Sequence, residues 1–300
     1  MHPELTLSLA GHQFVLSSIA FFYWLAWVVG LLLAAIVAWR RRLPWFWSLF
    51  VYAFTIVAGI VGARLLHVAD NWGYYALHWG RLKALDFDSF ALYGGLILAA
   101  VVGAWVARSF RLRAWRLADS AVPALALGIA LMRVGNFLDG SDFGTATTVS
   151  WGVTYPEWSK AWGDVLSYQV LSGETGLLDG PKPVHPTQMY EAIAAVVIGL
   201  IVAGWLIARH LRQRRSPGKR ETPEGVPFLA FVALFTVFRF ANHFLRAHPG
   251  TFKLPDWFYP FLYAVVLAVT LLLIVWRIRP WKTLHLPRSL SFSRSRRRSS

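Results

Sequence analysis

The sequence predicts an all-α polytopic membrane protein, a bundle of about seven transmembrane helices with a small, partly β cap on the outer side of the membrane. Hydrophobic residues make up 56% of the 300 residues, and several apolar runs of about 18 to 25 residues can each cross a hydrocarbon core as a helix. Such runs must be helical in lipid, because every backbone amide has to find its partner within the segment. Clusters of basic residues follow every second run, which places them on the same side of the membrane.

The predicted spans are residues 15–39, 47–68, 91–107, 117–138, 188–209, 226–246 and 257–277. The third is the weakest, because it is short and rich in glycine and alanine. No positively charged region and no small-residue cleavage site precede the first span, so we expect no removable signal peptide. Cysteine is absent, which excludes disulfides, a cysteine nucleophile and thiolate metal sites.

The net charge of +15 is explained by its placement rather than by nucleic-acid binding. Of the 30 Lys and Arg residues, 21 follow the first, third, fifth and seventh spans, in segments 40–42, 108–116, 209–220 and 277–298. By the positive-inside rule these segments are cytoplasmic, so we expect the N-terminus outside and the C-terminus inside. The basic Ser/Arg tail is expected to be disordered and to rest on anionic headgroups, with RNA binding as a weaker alternative.

Residues 139–187, between the fourth and fifth spans, are expected to lie outside the membrane. They are rich in Trp, Tyr and acidic residues, and alternating stretches such as VSWGVTYP favour strands. The segment is too short for an independent core, so we expect a cap packed on the helices. The chain therefore divides into a membrane domain of residues 1–280, which includes this cap, and a tail of residues 281–300.

Four arginines fall within the predicted spans or at their ends. Arg64, Arg133, Arg239 and Arg246 lie at a similar outer depth. A charge at a helix centre costs roughly 2.5–3.5 kcal/mol on insertion scales and usually marks function. Each arginine could instead extend its head to the outer lipid headgroups, which requires no substrate. That alternative is weaker for Arg133 and Arg239.

The stretch LMRVGNFLDG, residues 131–140, favours a binding role for Arg133. Gly135 and Asn136 follow within one helical turn, and Gly140 marks a turn of the chain, so we expect the mouth of a polar pocket there. A planar guanidinium can hold a phosphate at two points. Anionic phospholipid supplies phosphate at this depth and is the predicted ligand.

A second polar stretch, VHPTQMYEAI, opens the fifth span. Thr187 is placed to cap the helix, Gln188 lies at its mouth, and Tyr190 and Glu191 occupy its first turn. The helix dipole alone favours Glu191 there, and the alternative is that Glu191 pairs with one of the arginines. His185 precedes a proline and is expected on extended chain.

The first and third spans contain less specific candidates. In ALYGGLILAA, Tyr93 precedes Gly94 and Gly95, which either allow close helix packing or open space beside the tyrosine hydroxyl. Tyr23 either lines a lipid site or is an interfacial aromatic residue. No metal site and no cofactor are predicted.

Together these stretches resemble the prolipoprotein diacylglyceryl transferase family of bacterial inner-membrane enzymes. RVGNFLDG is similar to the family signature Arg-x-Gly-Asn-Phe-x-Asn-Gly-Glu, HPTQMYE to His-Pro-Ser/Thr-Gln-Leu-Tyr-Glu, and SWGVTYP to Trp-Gly-Val-x-x-Pro. FFYWLAWVVG, GARLLHVADNW, YGGLI and FRFANHFLRA occur in the family's order. The resemblance covers about residues 15–277.

The resemblance implies transfer of the sn-1,2-diacylglyceryl group from phosphatidylglycerol to the lipobox cysteine thiol of a preprolipoprotein, with release of glycerol 1-phosphate. It implies a multi-pass enzyme of the bacterial plasma membrane with a periplasmic cap and no cofactor. Its partners would be phosphatidylglycerol and preprolipoprotein signal peptides, not nucleic acid. Arg133 and Arg239 would bind the phosphate and stabilise the leaving group. The implied binding site also includes Asn136, Tyr23, Arg64, Gly94, Gly95, Asp139, Gln188, Tyr190, Glu191 and Arg246.

Two departures from the family pattern concern the base that would deprotonate the thiol. Tyr93 stands where many members have a histidine, and a tyrosine, whose ordinary pKa is about 10, is a poor base at neutral pH. His243 replaces a glutamate one helical turn after Arg239, which puts both on the same helix face. Tyr93 and His243 are therefore the candidate catalytic residues beside the arginines.

The signature also ends differently in this chain. Asp139 and Ser141 replace its last Asn and Glu, and Asp142 is placed to supply the lost carboxylate. These changes leave an alternative open, a catalytically altered paralogue that binds anionic phospholipid or lipoprotein signal peptides. A transporter is disfavoured, because the polar residues cluster near one face and no pair of broken helices marks a midplane site.

Overall fold

The computed structural model describes residues 4–9, 12–70, 72–80, 92–176, 179–215, 222–247 and 257–279. A two-stranded antiparallel hairpin precedes the first helix. The elements in chain order are β1 (Glu4–Leu9), β2 (His12–Ser17), α1 (Ser18–Arg40), α2 (Trp45–Asp70), α3 (Trp72–Tyr75), α4 (Leu92–Ser109), α5 (Ala114–Asp139), α6 (Lys160–Leu171), α7 (Thr187–Arg215), α8 (Val226–His243) and α9 (Phe258–Ile278).

A helix lies at each of the predicted spans. Within the described residues, six helices are long and apolar enough to cross a membrane, namely α1, α2, α5, α7, α8 and α9. Helix α4 covers the third predicted span, but its apolar part, Gly94–Ser109, is shorter. The chain is therefore a multi-pass membrane protein, and a count of seven spans stays a prediction.

The long helices expose large apolar side chains along their length. Leu32 on α1, Leu65 on α2, Leu200 on α7 and Leu272 on α9 are each more than half exposed. Apolar patches of this extent are unusual on a protein surrounded by water. Lipid tails are as apolar as leucine, so these faces fit helices that are surrounded by hydrocarbon.

Helix α5 lies at the centre of the bundle. It packs against α1 and α7 and, less extensively, against α8, whereas α9 packs on α8 and α2 pairs with α4 and α1. Gly135 allows the contact between α1 and α5, because a Cβ there would lie 2.7 Å from the Cβ of Phe22. The glycine that follows Arg133 thus has a packing role, and it brings α1 close to the arginine.

A buried carboxylate ties α8 to α5. Asp119 on α5 accepts hydrogen bonds from the backbone N–H groups of Gly225 at 2.9 Å and Phe228 at 3.0 Å. These are the groups that a helix leaves without partners at its N-terminal end. Because α5 carries Arg133 and α8 carries Arg239, these two hydrogen bonds help to fix the two arginines relative to each other.

Glycines bring α2 and α4 into direct backbone contact. A Cβ on Gly62 would lie 2.4 Å from the carbonyl oxygen of Gly94, and a Cβ on Gly94 would lie 2.3 Å from that of Gly62. One turn away, a Cβ on Gly95 would lie 2.8 Å from the carbonyl oxygen of Gly59. The glycine pair of the third span therefore has the close-packing use, and its role in substrate binding stays a prediction.

We expect Gly62→Ala to destabilise the protein by roughly 1–3 kcal/mol, because the added methyl group meets backbone that cannot move aside. Thermal unfolding in detergent measures this loss as a lower midpoint. Gly204→Ala is the matched control, since nothing lies within 4 Å of a Cβ on Gly204 and alanine is the better helix former. Equal midpoints for the two variants would contradict the close contact between α2 and α4.

The segment between α5 and α7 differs from the predicted cap in its secondary structure. Its described residues contain helix α6, which the sequence pattern did not predict, and isolated β-bridges instead of longer strands, at Ala146, Val153 and Val184. The segment also has a small apolar core, formed by Phe143, Tyr155, Ala161, Val165, Val184 and Ala247. Ala247 follows α8, so this core packs on the bundle.

Three predicted boundaries move. Helix α1 begins at Ser18 rather than at residue 15, because the residues before it pair in the hairpin. Helix α8 ends at His243, so Arg246 lies beyond the helix. Thr187 is the first residue of α7 rather than its cap. The tail, residues 281–300, lies outside the described residues.

Candidate active site

Arg133, near the C-terminal end of α5, contacts two carboxylates. Its Nε lies 2.6 Å from Oε2 of Glu191, and its Nη1 donates a hydrogen bond to Oδ2 of Asp142 at 2.6 Å. Glu191 lies just beyond the first turn of α7, not within it as predicted, because the helix begins at Thr187. Asp142 lies in the turn that follows α5. Arg133 therefore joins α5 to α7 and to the start of the segment between them.

Glu191 is almost completely buried, with 3% of its side chain exposed. Its Oε1 accepts a hydrogen bond from Nη1 of Arg239 at 2.5 Å and one from Nδ2 of Asn242 at 3.1 Å. Arg239 also donates from Nη2 to the hydroxyl of Tyr263 on α9, at 3.3 Å. Glu191 therefore pairs with Arg133 and Arg239, the second of the two roles that its sequence position allowed.

Asp142 accepts hydrogen bonds from three side chains. They come from Nη2 of Arg246, from Nη1 of Arg133 and, at 3.0 Å, from Nδ2 of Asn136. Burial by itself raises the pKa of this carboxyl, but Arg246 and Arg133 outweigh burial and hold the pKa of Asp142 below its ordinary value. Asp142 is therefore charged at neutral pH. Its replacement of the carboxylate that the signature has at the position of Ser141 stays a prediction.

Hydrogen bonds from two helices fix the turn that carries Asp142. Helix α5 ends at Asp139 and is capped by Gly140, which has a φ of +85° and donates its N–H to the carbonyl of Asn136. From α7, the hydroxyl of Thr187 donates to the carbonyl of Asp142 at 2.9 Å, and the amide of Gln188 donates to the carbonyl of Ser141 at 2.6 Å. Asp142 itself has a φ of +62°, a conformation that costs most residues about 1 kcal/mol or more, so the turn holds its carboxylate in one position.

Arg246 reaches Asp142 because three chain segments meet at Gly144. The N–H of Gly144 donates to the carbonyl of His185 at 3.0 Å, and Gly144 forms an antiparallel bridge with Arg246. A Cβ on Gly144 would lie 2.5 Å from the carbonyl oxygen of His185 and 2.7 Å from that of Leu245. A residue with a side chain would push these segments apart and move Arg246 away from Asp142.

Five residues form one continuous group, which we call the arginine cluster: Arg133, Arg239, Arg246, Glu191 and Asp142. Positive and negative groups alternate along it, and three guanidinium groups face two carboxylates, which leaves the cluster with one net positive charge. The heads of Arg133 and Arg239 lie among carboxylates of the protein, so exposure to lipid headgroups does not explain them. A buried cluster with excess positive charge is suited to bind an anion, and guanidinium groups suit phosphate in particular.

Among the other predicted residues, Tyr23 lies near the cluster. Tyr23 on α1 lies within electrostatic reach of Arg133, and its ring makes an edge contact with Trp27 at a centroid distance of 6.4 Å. Asp139 is the last residue of α5. Arg64 on α2 is placed differently, with its guanidinium over the ring of Tyr75 at 5.3 Å. The structure thus gives Arg64 an aromatic contact at the junction of α2 and α3.

Gln188 and Tyr190 belong to the support of the site. Gln188 is buried, and its amide also donates to the hydroxyl of Tyr155 at 3.3 Å. Burial raises the pKa of Tyr155 to about 12, so this hydroxyl is neutral. The hydroxyl of Tyr190 accepts from Nε1 of Trp151 at 2.7 Å and lies 3.2 Å from Nδ1 of His185. These contacts join the first turn of α7 to the segment that precedes it.

Of the two candidate bases, Tyr93 and His243, the structure describes the side chain of His243. The side chain of Tyr93 lies outside the described residues. The ring of His243 lies 6.0 Å from the ring centroids of both Tyr259 and Tyr263. Tyr263 accepts the hydrogen bond from Arg239. Tyr263 therefore lies between His243 and the arginine cluster.

The sequence did not identify Asn242 and Tyr263 as members of this site. Asn242 is buried and polar within the apolar stretch FANHF, and an uncharged amide inside a span is a signal that could have found it. Tyr263 gave no such signal, because tyrosines are common near membrane interfaces. Its role depends on α9 packing against α8.

Among the described residues, no group of three or more His, Asp or Glu side chains is placed to hold a metal ion. The fold and the cluster define a multi-pass membrane protein with a buried, net positive site at one end of its helices. The family described as prolipoprotein diacylglyceryl transferase matches residues 7–281 of the chain. The chain belongs to this family.

Similar proteins with the name phosphatidylglycerol–prolipoprotein diacylglyceryl transferase occur in several bacteria. The one from Geobacter sulfurreducens is 31% identical over 196 residues, which are 64% of this chain and 63% of that protein. The one from Geobacillus kaustophilus is 30% identical over 215 residues, 71% of this chain and 70% of the relative. The one from Thermus thermophilus is 32% identical over 182 residues, 57% and 64% respectively. The matches thus span about two thirds of these relatives' lengths.

Proposed function

We propose that the chain transfers the sn-1,2-diacylglyceryl group of phosphatidylglycerol to the lipobox cysteine thiol of a preprolipoprotein. The bond between the diacylglyceryl carbon and the phosphate oxygen breaks, a carbon–sulfur bond forms, and the thiol proton passes to a base. Glycerol 1-phosphate leaves with the electron pair of the broken bond. Family membership and the names of the relatives support this reaction. The observation that carries it is the arginine cluster, because its net positive charge lies in a largely buried site that is suited to hold a lipid phosphate.

The proposal includes an orientation in the bacterial plasma membrane. The basic segments that follow α1, α4, α7 and α9 favour a cytoplasmic position. The arginine cluster lies at the opposite ends of the helices, and would face the periplasm together with the segment between α5 and α7 as its cap. This orientation requires seven spans, including α4, with the N-terminus outside. It would let phosphatidylglycerol and the signal peptide reach the cluster from the membrane.

Within this reaction, Arg133 and Arg239 would hold the phosphate and stabilise the negative charge that develops on the leaving group. Glu191 contacts both arginines and would keep their heads at a fixed separation. Asn136 holds Asp142 and lies on the same helix face as Arg133. Tyr23, Gln188 and Tyr190 would line or support the lipid site, as would Asp139, Arg64, Gly94, Gly95 and Arg246.

The thiol base is proposed to be His243, because its ring neighbours that of Tyr263, which accepts a hydrogen bond from Arg239 of the arginine cluster. We expect His243→Ala to lower the rate of transfer about 10²- to 10⁴-fold, the usual contribution of a general base, and Tyr93→Phe to lower it less. An imidazole acts as a base only when neutral, so activity should rise with pH in the wild type, and His243→Ala should lose the part of this rise that comes from the imidazole. Rates of both variants over a pH series measure this, and the reverse ranking would assign the base to Tyr93.

The test of the proposed function uses the purified protein in detergent, phosphatidylglycerol and a lipobox peptide. Mass spectrometry should detect the diacylglyceryl group on the peptide, and a peptide with serine in place of the lipobox cysteine should stay unmodified. Release of glycerol 1-phosphate should equal the amount of modified peptide. If neither product forms while lipid or peptide still binds, the altered positions 93, 141 and 243 have left a binding protein, and the transferase proposal is wrong.

A further inference from the structure

We infer that Asp142 sets the net charge of the arginine cluster so that the site retains a singly charged phosphodiester and releases a doubly charged phosphate monoester. This inference rests on the proposed function. It assigns to Asp142 a part in donor selection and product release, beyond holding the arginines in place.

The charges of the two ligands differ by one. A phosphodiester such as that of phosphatidylglycerol carries one negative charge, whereas a phosphate monoester has a second pKa near 6 and carries almost two at neutral pH. Breaking the bond between the diacylglyceryl carbon and the phosphate oxygen leaves the electron pair on the phosphate, and this step creates the second charge. The ligand therefore becomes more negative as the reaction proceeds.

The cluster has the charge that discriminates between these two states. Its three guanidinium groups and two carboxylates leave one positive charge, which a phosphodiester neutralises. A phosphate monoester would give the occupied site one net negative charge next to two carboxylates. Arg133 and Arg239 stabilise this charge as it develops, but after the bond has broken the occupied site carries an uncompensated negative charge. In a largely buried site such an imbalance is unfavourable, so the product should leave readily.

Asp142 is the carboxylate best placed to act on an incoming ligand. Its side chain is 31% exposed, whereas that of Glu191 is 3% exposed. Asp142 contacts both Arg133 and Arg246 and also accepts from Asn136. Asp142 thus lies on the accessible side of the cluster, at a point where several hydrogen-bond donors converge on one negatively charged group.

The test is Asp142→Asn, which keeps the size of the side chain and an oxygen that can accept hydrogen bonds but raises the charge of the cluster by one. The inhibition constant of glycerol 1-phosphate is compared with the KM for phosphatidylglycerol. The interaction energy of the added positive charge with a dianion is about twice that with a monoanion. Affinity depends exponentially on this energy, so the ratio of inhibition constant to KM should fall on the order of tenfold. Asp164→Asn, at an exposed position of α6, is the control and should leave the ratio unchanged.

A role limited to positioning the arginines predicts a different result. Misplaced guanidinium groups would weaken donor and product together, and the ratio would stay at its wild-type value. That outcome overturns the inference. Acidification to about pH 5 provides a second readout, because glycerol 1-phosphate then carries a single charge and the variant and the wild type should give similar ratios. His243 is present in both proteins, so its titration cancels in this comparison.

Direct binding separates this inference from the proposed function. Calorimetry can compare glycerol 1-phosphate with glycerophosphoglycerol, a soluble phosphodiester with one charge, in wild type and Asp142→Asn. Tighter binding of the monoester alone in the variant supports the charge-setting role even if transfer activity is absent. Transfer activity with no difference between the two ligands would leave the proposed function intact and refute the inference.

Discussion

Arg133→Ala is expected to abolish diacylglyceryl transfer, with a loss of at least about 10²- to 10³-fold, the effect of removing one donor that stabilises a developing anion. Arg133 contacts both carboxylates of the cluster, so its removal also takes away the link between α5 and α7. Lysine is not an adequate replacement, because a single ammonium cannot contact two partners as a planar guanidinium does. Arg133→Lys should therefore remain strongly impaired. Peptide modification measured by mass spectrometry reports the rate.

The matched control is Arg113→Ala. Arg113 precedes the other end of the same helix, and its ion pair with Glu224 is exposed, with 71% of the arginine side chain accessible. Exposed pairs contribute about 0–1 kcal/mol, so this variant should keep its activity and stability. If Arg133→Ala retained wild-type activity in membranes that contain equal amounts of protein, the phosphate-binding role of the cluster would be excluded.

Glu191→Ala is expected to cause the largest loss of stability, about 3–5 kcal/mol, because it leaves two buried guanidinium groups without their shared carboxylate. The exposed fractions support this size of effect, since Glu191 is 3% and Arg239 12% exposed. Thermal unfolding in detergent should show a much lower midpoint, or the protein should fail to accumulate in the membrane. Glu157→Ala, at an exposed position of the segment before α6, is the control.

A second substitution distinguishes lost charge balance from general loss of packing. In the double variant Glu191→Gln, Arg239→Gln, no charge of this pair remains buried and unpaired, so it should be more stable than Glu191→Gln alone. Both proteins should lack transfer activity, because Arg239 is absent or misplaced. A double variant that is less stable than either single variant would show that the pair contributes through packing rather than through charge.

The sequence identified the parts of the site that are costly to place in a membrane. Arg133 and Arg239 were predicted as binding residues because a guanidinium inside a span needs a counter-charge or a ligand, and the structure gives both of them the same carboxylate, Glu191. The spans were also predictable, because a continuous apolar run has few structural solutions in lipid. The boundaries were less so, as the hairpin ahead of Ser18 shows.

Other members of the site depended on the arrangement of the chain. Asn242 and Tyr263 look like ordinary helix residues until α8 and α9 pack together, and only then do they contact Glu191 and Arg239. Helix α6 was missed because the alternating stretch before it favoured strands, whereas its own sequence begins at a serine cap, Ser159. Local sequence patterns could not decide between strands and a helix here, nor which helices pack together.

The sequence by itself determined that this is a multi-pass membrane protein with arginines gathered near one end of its helices, because the free energy of placing apolar and charged groups in lipid is set residue by residue. Only the tertiary structure decided which charges meet. It paired Arg133 and Arg239 through Glu191, and it brought Arg246 to Asp142 through the close chain contact at Gly144. The physical reason is that an ion pair depends on distances of a few ångströms between residues up to about a hundred positions apart, and packing, not local sequence, fixes those distances.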